Sequence, residues 1–317
     1  MKQSFWTVVR ILAGVVLLFV VFRIVNVGET WRALLAANAY FLLAAVALLF
    51  VQLWVRAAKW RSMLTSLSVN VTGFESLSSV LFGITLGILT PAELGELAGR
   101  SLGIRQSRVS PVVGLVLLDR AQTFLVVLLG GAIGLVAMFG QSIPVTLLVA
   151  VASLVVCLAL FFNLGFVKQL YDRLPFPFLK REWLNDTLQS FCILSQKAQT
   201  TALLYTFSFY LILVLQMYAL LNAFSPVSVS VSFQGFGAMM AAKSLLPISI
   251  ADLGTRELSS VYFFSVLGVS KTTALNASLL LFVINMVFPG LAGAFFLPRW
   301  KSPSVAGLNK SSAEKRD

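Results

Sequence analysis

The chain has 317 residues, of which 58% are hydrophobic and 11% charged, and its formal net charge is +12. Soluble domains carry roughly 25% charged residues, so composition excludes a soluble globular protein. Histidine is absent and only Cys157 and Cys192 are present, which excludes Ser-His-Asp and Cys-His nucleophiles and argues against a disulfide framework.

Eight hydrophobic segments are predicted in chain order, at about 5–25, 36–56, 76–104, 111–138, 144–164, 199–223, 233–268 and 273–298. Runs such as Leu125–Leu129 and Leu147–Val156 are continuous rather than alternating, which favours helices over a transmembrane barrel. In the first segment the apolar run Ile11–Phe22 follows Lys2 and Arg10, has Arg23 and no A-x-A site after it, and reads as a retained anchor rather than a cleaved signal. The second ends at Arg56, Lys59, Trp60 and Arg61, which read as anchors at the cytoplasmic interface.

Segments three and seven resist being ordinary spans. Segment 76–104 carries Glu93, Glu96 and Arg100 around Thr90-Pro91, and segment 233–268 carries Lys243, Pro247, Asp252, Gly254, Arg256 and Glu257. A proline in a helix removes a backbone donor and clashes one turn back, and each arm is short for a core that needs roughly 20 residues per crossing. Both are predicted as re-entrant hairpins, since irregular backbone survives at depth only inside protein or beside a water-filled cavity. With a cytoplasmic N-terminus, six full spans and two hairpins, the outside pieces carry only Arg23, Arg32 and Lys271 of the 24 basic residues. The basic residues thus sort by topology, and no nucleic-acid partner is expected.

The predicted fold is therefore all-α: a single transmembrane domain over 1–298, with about six full spans and two re-entrant broken helices in two inverted repeats. Repeat one covers 5–138 and repeat two 144–298, each with an odd number of crossings, as in many transporters. The loop 165–198 is predicted cytoplasmic, with an interfacial helix at 182–197, and the tail 299–317 as disordered and cytoplasmic. The protein is thus expected to be integral to the bacterial cytoplasmic (inner) membrane, with both termini on the cytoplasmic side.

Nine ionisable residues are predicted at membrane depth: Glu93, Glu96, Arg100, Asp119, Arg120, Lys243, Asp252, Arg256 and Glu257. Each costs several kcal/mol unless paired or hydrated, with contested values from about 2.5 upward. Two readings stand side by side: the charges satisfy one another, or arginines face a cavity and bind an anionic headgroup through the planar guanidinium fork. The candidate substrate-binding residues are Arg100 and Arg256, then Arg120, with Glu96, Glu257, Asp119 and Asp252 around them. Gly83, Gly87, Gly95, Gly99 and Gly103 recur at multiples of four and read as a packing face. Asn276, Asn285, Gln216 and Tyr218 read as interhelical hydrogen-bond formers.

The stretches TPAELGELAGRSLGI and LLPISIADLGTRELSS, with Asp119-Arg120 between them, resemble a flippase-like family named for the transmembrane region of lysylphosphatidylglycerol synthases. The resemblance covers roughly residues 5–298, and its most specific parts are Pro91…Gly95-Glu96…Arg100, Asp119-Arg120 and Gly254-x-Arg256-Glu257. That family often has arginine where this chain has Glu93, which leaves a headgroup contact at that position in doubt. The resemblance implies movement of an anionic, aminoacylated or polyprenyl-linked lipid between leaflets, as a flippase or scramblase. The full synthases add a soluble aminoacyl-transferase domain; only residues 299–317 follow the last span here, so synthase activity is not expected of this chain. No catalytic residue, cofactor or metal is expected, and the chain is read as not an enzyme. The expected partners are membrane lipids with an anionic headgroup, with proton coupling through a carboxylate, a homo-oligomer or a lipid-modifying enzyme as further candidates. Two alternatives remain: an ion-coupled carrier of a small anionic solute, and a membrane enzyme or enzyme subunit acting on a lipid.

Overall fold

The computed structural model describes residues 32, 35–90, 93–104, 109–139, 195–245 and 254–296. The predicted segments 5–25 and 144–164, most of the loop 165–198, the tail 299–317, and Pro91, Pro247 and Asp252 lie outside the described residues.

Helices α1 (Ala39–Ser66), α2 (Gly73–Ile88), α3 (Gly95–Leu102) and α4 (Val109–Phe139) form a first run. A second consists of α5 (Gln196–Phe224), α6 (Val229–Leu245), α7 (Thr255–Val266), α8 (Lys271–Phe282), a π-helical turn (Val283–Val287) and α9 (Phe288–Ala294). No strand occurs among the described residues. The stretches Ala39–Ser66, Val112–Phe139, Gln196–Phe224 and Lys271–Ala294 are long and apolar enough to cross a bilayer. The protein is an integral membrane protein, and among the described residues its regular structure is all helical.

Local chemistry fixes the helix starts. Asn38 caps α1 through Tyr40 N–H at 3.0 Å, Ser195 caps α5 through Ala198 N–H at 3.3 Å, and Ser270 caps α8 through Thr273 N–H at 3.1 Å. At α2, Thr72 and Glu75 form a reciprocal capping box. That box starts the helix at Gly73, earlier than the predicted 76. Helix α1 also runs on to Ser66, beyond the predicted 56, because Ala57, Lys59, Trp60, Met63 and Leu64 continue its buried face.

Both broken segments fold back on themselves. Helix α2 packs on α3 across a break at 89–94, where Glu93 takes a left-handed φ of 53°. Helix α6 packs on α7, which starts just after Gly254, with φ 90°. The glycine stripe of the first segment serves packing: a Cβ on Gly99 would lie 2.7 Å from the Gly83 Cα.

The contacts between the two runs are reciprocal. Helix α1 lies antiparallel to α5, the Asn38 N–H donating to the Ala223 carbonyl at 2.8 Å. Helix α6 packs on α4, the last span of the first run, and α2 packs on α9, the end of the last span of the second. Each contact is made through glycine. A Cβ on Gly237 would strike the Gly130 carbonyl, and one on Gly293 would strike that of Leu81.

The last span is interrupted rather than continuous. Pro289 follows Asn285 by four residues, so a regular α-helix would press its ring against the Asn285 carbonyl. The widened turn at 283–287 lies immediately before it. One core cluster surrounds Met217, Leu220, Phe236 and Phe264; another surrounds Trp60, Leu115, Val116 and Phe282. A polar site lies between them.

Candidate functional site

A cavity of about 360 Å³ opens among α1, the α2–α3 break, α4, α5, α6 and the π turn, within the size range of small-ligand sites. Among the described residues its charged lining is Arg56, Lys59, Arg100, Arg120, Lys243 and Arg256 against Glu93, Glu96 and Asp119. Cations therefore outnumber carboxylates there. Phe124, Phe209, Phe236 and Met240 supply apolar wall.

Helix geometry explains how these groups meet. On α1, Gln52, Arg56 and Lys59 recur at i, i+4 and i+7 and share one face. On α3, Glu96 and Arg100 are one turn apart and form an ion pair at 2.6 Å. Asp119 and Arg120 are neighbours on α4 and diverge, Asp119 toward Arg100 and Lys59, Arg120 toward Glu93 and Glu96.

The result is one continuous network. Arg100 binds Asp119 at 2.5 Å and Glu96 at 2.6 Å, and Arg56 reaches Glu96 at 2.9 Å. Lys59 also pairs with Asp119 and donates to Thr206 Oγ1 at 2.6 Å. Arg120 pairs with Glu93 at 2.9 Å and also with Glu96. Among the described residues four cations thus share three carboxylates. In a low-dielectric interior each charge must be met by another or by hydrogen bonds, and the excess of one positive charge suits a bound anion.

The arginines also lie over aromatic rings. Arg56 sits over Phe209 at 5.6 Å, Arg100 over Trp60 at 5.5 Å and Arg256 over Phe282 at 4.9 Å. Trp60 Nε1 donates to Ser79 Oγ at 3.1 Å, and that hydroxyl donates to the Arg100 carbonyl at 3.0 Å. These bonds pin α1, α2 and α3 together beneath the guanidinium.

Across the cavity the second hairpin contributes one compact unit. Arg256 donates to Glu257 Oε1 from Nε at 3.0 Å and from Nη2 at 2.6 Å. The other carboxylate oxygen of Glu257 accepts the Gly254 N–H at 2.7 Å, capping α7. One carboxylate thus both starts the helix and holds the arginine.

The predicted site residues fall out as follows. Glu96, Arg100, Asp119 and Arg120 converge, and Arg256 lines the same cavity with Glu257 behind it. Asp252 lies outside the described residues. Arg100 and Arg256 are each committed to carboxylates and nearly fully buried, whereas the Arg120 side chain is 34% exposed. Glu93 faces the cavity as the partner of Arg120.

Two residues read as interface anchors belong instead to the network. Lys59 is only 5% exposed, and Arg56 and Lys59 both line the cavity; Trp60 is buried as well. Their helical spacing with Gln52 was the available signal. Their position near the end of a predicted span pointed the other way, because α1 is longer than that span.

Gln216 and Asn285 do join helices, as predicted. Gln52 Nε2 donates to Asn285 Oδ1 at 2.9 Å, Asn285 Nδ2 to Gln216 Oε1 at 2.7 Å, and Gln216 Nε2 to the Ala45 carbonyl at 2.9 Å. Gln52 and Asn285 also form part of the cavity lining, a role the sequence did not suggest.

A second, larger depression of about 1280 Å³ lies between α1, α2, α5 and α9. Its lining is mostly apolar, including Phe50, Trp54, Leu77 and Phe288, with Arg61 and Lys197 also present. Tyr205 lines both this groove and the polar cavity.

Comparison with known families gives a match over residues 7–293 to the family described as the lysylphosphatidylglycerol synthase TM region. Comparison with curated proteins gives no match.

Proposed function

We propose that this chain, which belongs to the lysylphosphatidylglycerol synthase transmembrane-region family, carries a lipid with an anionic headgroup between the leaflets of a bacterial inner membrane, as a flippase or scramblase. The carrying observation is a cation-rich cavity that shares a wall, Tyr205, with an apolar groove. A phosphate needs the first environment and acyl chains need the second. The groove favours a lipid over a small soluble anion, which would have no use for it.

Within the cavity, Arg120 and Arg56 are the favoured phosphate contacts. Arg120 is the more open of the two, and the surplus cation of the network gives the phosphate a charge to neutralise. Arg100 and Arg256 hold the walls in place through their carboxylates. The polar headgroup travels through the cavity while the tails stay in the groove and the bilayer.

The architecture supports the same reading. Antiparallel α1 and α5, two folded-back segments, and the exchange of contacts α6–α4 and α2–α9 are what two inverted repeats with re-entrant hairpins would produce. In this reading the site lies where the two repeats meet.

The test is reconstitution into vesicles containing headgroup-labelled phospholipids. Leaflet exchange of an anionic lipid above protein-free vesicles is expected. Exchange no faster than in empty vesicles, across anionic and polyprenyl-linked lipids, overturns the proposal.

A further inference from the structure

The amides of Gln52 and Asn285, which line the cavity, and of Gln216 beside them have a fixed direction. A backbone carbonyl only accepts, so the Ala45 carbonyl forces Gln216 to present its NH2 there and its Oε1 to Asn285. Asn285 must then donate to Gln216, which turns its Oδ1 toward Gln52. Gln52 in turn must donate through Nε2. Each orientation follows from the one before it, so none of the amides is free to flip.

The relay leaves one atom over. Gln52 Oε1 is an acceptor with no hydrogen-bond partner among the described residues, on a side chain that is 1% exposed. Buried polar atoms almost always find a partner, and Gln52 belongs to the cavity lining. Arg56 is one turn further along the same face, roughly 6 Å at 1.5 Å per residue. Gln52, Arg56 and Arg120 line the same cavity, so a headgroup whose phosphate meets the two arginines extends along a wall that includes Gln52. That spacing suits a phosphate ester and a donor at the end of a two-carbon arm.

We infer that Gln52 Oε1, oriented by Asn285 and Gln216, selects phospholipids whose headgroup carries a hydrogen-bond donor, hydroxyl or ammonium, beyond the phosphate. The inference rests on the lipid reading above and adds a specificity to it. Asn285 and Gln216 are positioning residues: their amides fix the direction of the Gln52 amide. The widened turn at 283–287 lets Asn285 reach between the two glutamines while the proline after it is accommodated.

Charge-matched pairs of short-chain lipids test this without a contribution from net charge. Binding of dihexanoyl phosphatidylglycerol is compared with dihexanoyl phosphatidylmethanol, and dihexanoyl phosphatidylethanolamine with dihexanoyl phosphatidylcholine. Each is titrated onto detergent-purified full-length protein by calorimetry. A donor that satisfies a buried acceptor is expected to bind about tenfold more tightly than its donor-free partner in at least one pair, and the pair that responds tells hydroxyl from ammonium. In Gln52→Met that ratio is expected to fall to about one. A general loss of folding lowers both members of a pair alike and leaves the ratio unchanged.

Equal binding within both pairs by the unaltered protein overturns the inference, as does a ratio that persists in Gln52→Met. Should Gln52→Met not fold, Gln216→Leu replaces it; that change frees Asn285 to turn and is expected to lower the same ratio, and a ratio unaffected by it overturns the inference. Leaflet exchange of long-chain phosphatidylglycerol is measured in parallel. A binding ratio without exchange defeats the transport reading alone, and exchange without a ratio defeats the Gln52 assignment alone.

Discussion

The two folded-back segments share a plan and handle their charges in opposite ways. In the first, Glu93, Glu96 and Arg100 reach across to α1 and α4, and Glu96, Arg100, Asp119 and Arg120 each have more than one ion-pair partner. In the second, among the described residues, Arg256 and Glu257 are adjacent, pair with each other, and need only the Gly254 N–H besides. The first joins three helices by charge; the second is closed within one helical turn. A network that spans elements transmits the loss of one member to all of them, whereas a local pair confines it.

That difference has measurable edges. The largest effect is expected for Asp119→Ala, which leaves Lys59 and Arg100 both short of a carboxylate inside the protein. Breaking a buried ion pair from one side costs about 3–5 kcal/mol, read as a lower thermal unfolding midpoint in detergent. Glu257→Ala strands one arginine that still faces a cavity and removes one cap, so about 1–3 kcal/mol is expected in the same measurement. A loss from Glu257→Ala as large as that from Asp119→Ala would break the comparison. The smallest stability effect is expected for Arg120→Ala, about 1 kcal/mol, because its side chain is the most open and Glu96 keeps Arg56 and Arg100, so that only Glu93 loses its ion-pair partner. Its leaflet-exchange rate should nonetheless fall about tenfold, the worth of one charged contact near 1.4 kcal/mol. A variant as unstable as Asp119→Ala would place Arg120 among the supporting residues instead.

Much of this arrangement was legible in the sequence, and what was not has a physical reason. Prolines and charges inside apolar runs announced both breaks, and the acid–base balance announced pairing. Arg56 and Lys59 were misplaced because a basic residue at the end of an apolar run looks the same whether it meets headgroups or a buried aspartate 60 residues on. Only the helix face shared with Gln52 separates the two cases. The role of Gln52 was invisible for another reason. An unpartnered acceptor is a property of three amides from distant segments and a backbone carbonyl, and no local pattern encodes it. The π turn was not anticipated: 273–298 reads as an ordinary span, and nothing local to Pro289 tells that a wider turn accommodates it.

That turn sets a phase within the last membrane span. One residue of an α-helix corresponds to about 100° of rotation, so a turn carrying an extra residue offsets everything beyond it by that angle. Asn276 and Ser278 are buried ahead of it, and Gly293 meets the Leu81 carbonyl after it. In an uninterrupted helix these two halves could not both present those faces to their neighbours. The count of residues between them therefore acts as an angular setting: shortening the chain by one at this point would keep the side chains on either side of it and aim those beyond it elsewhere.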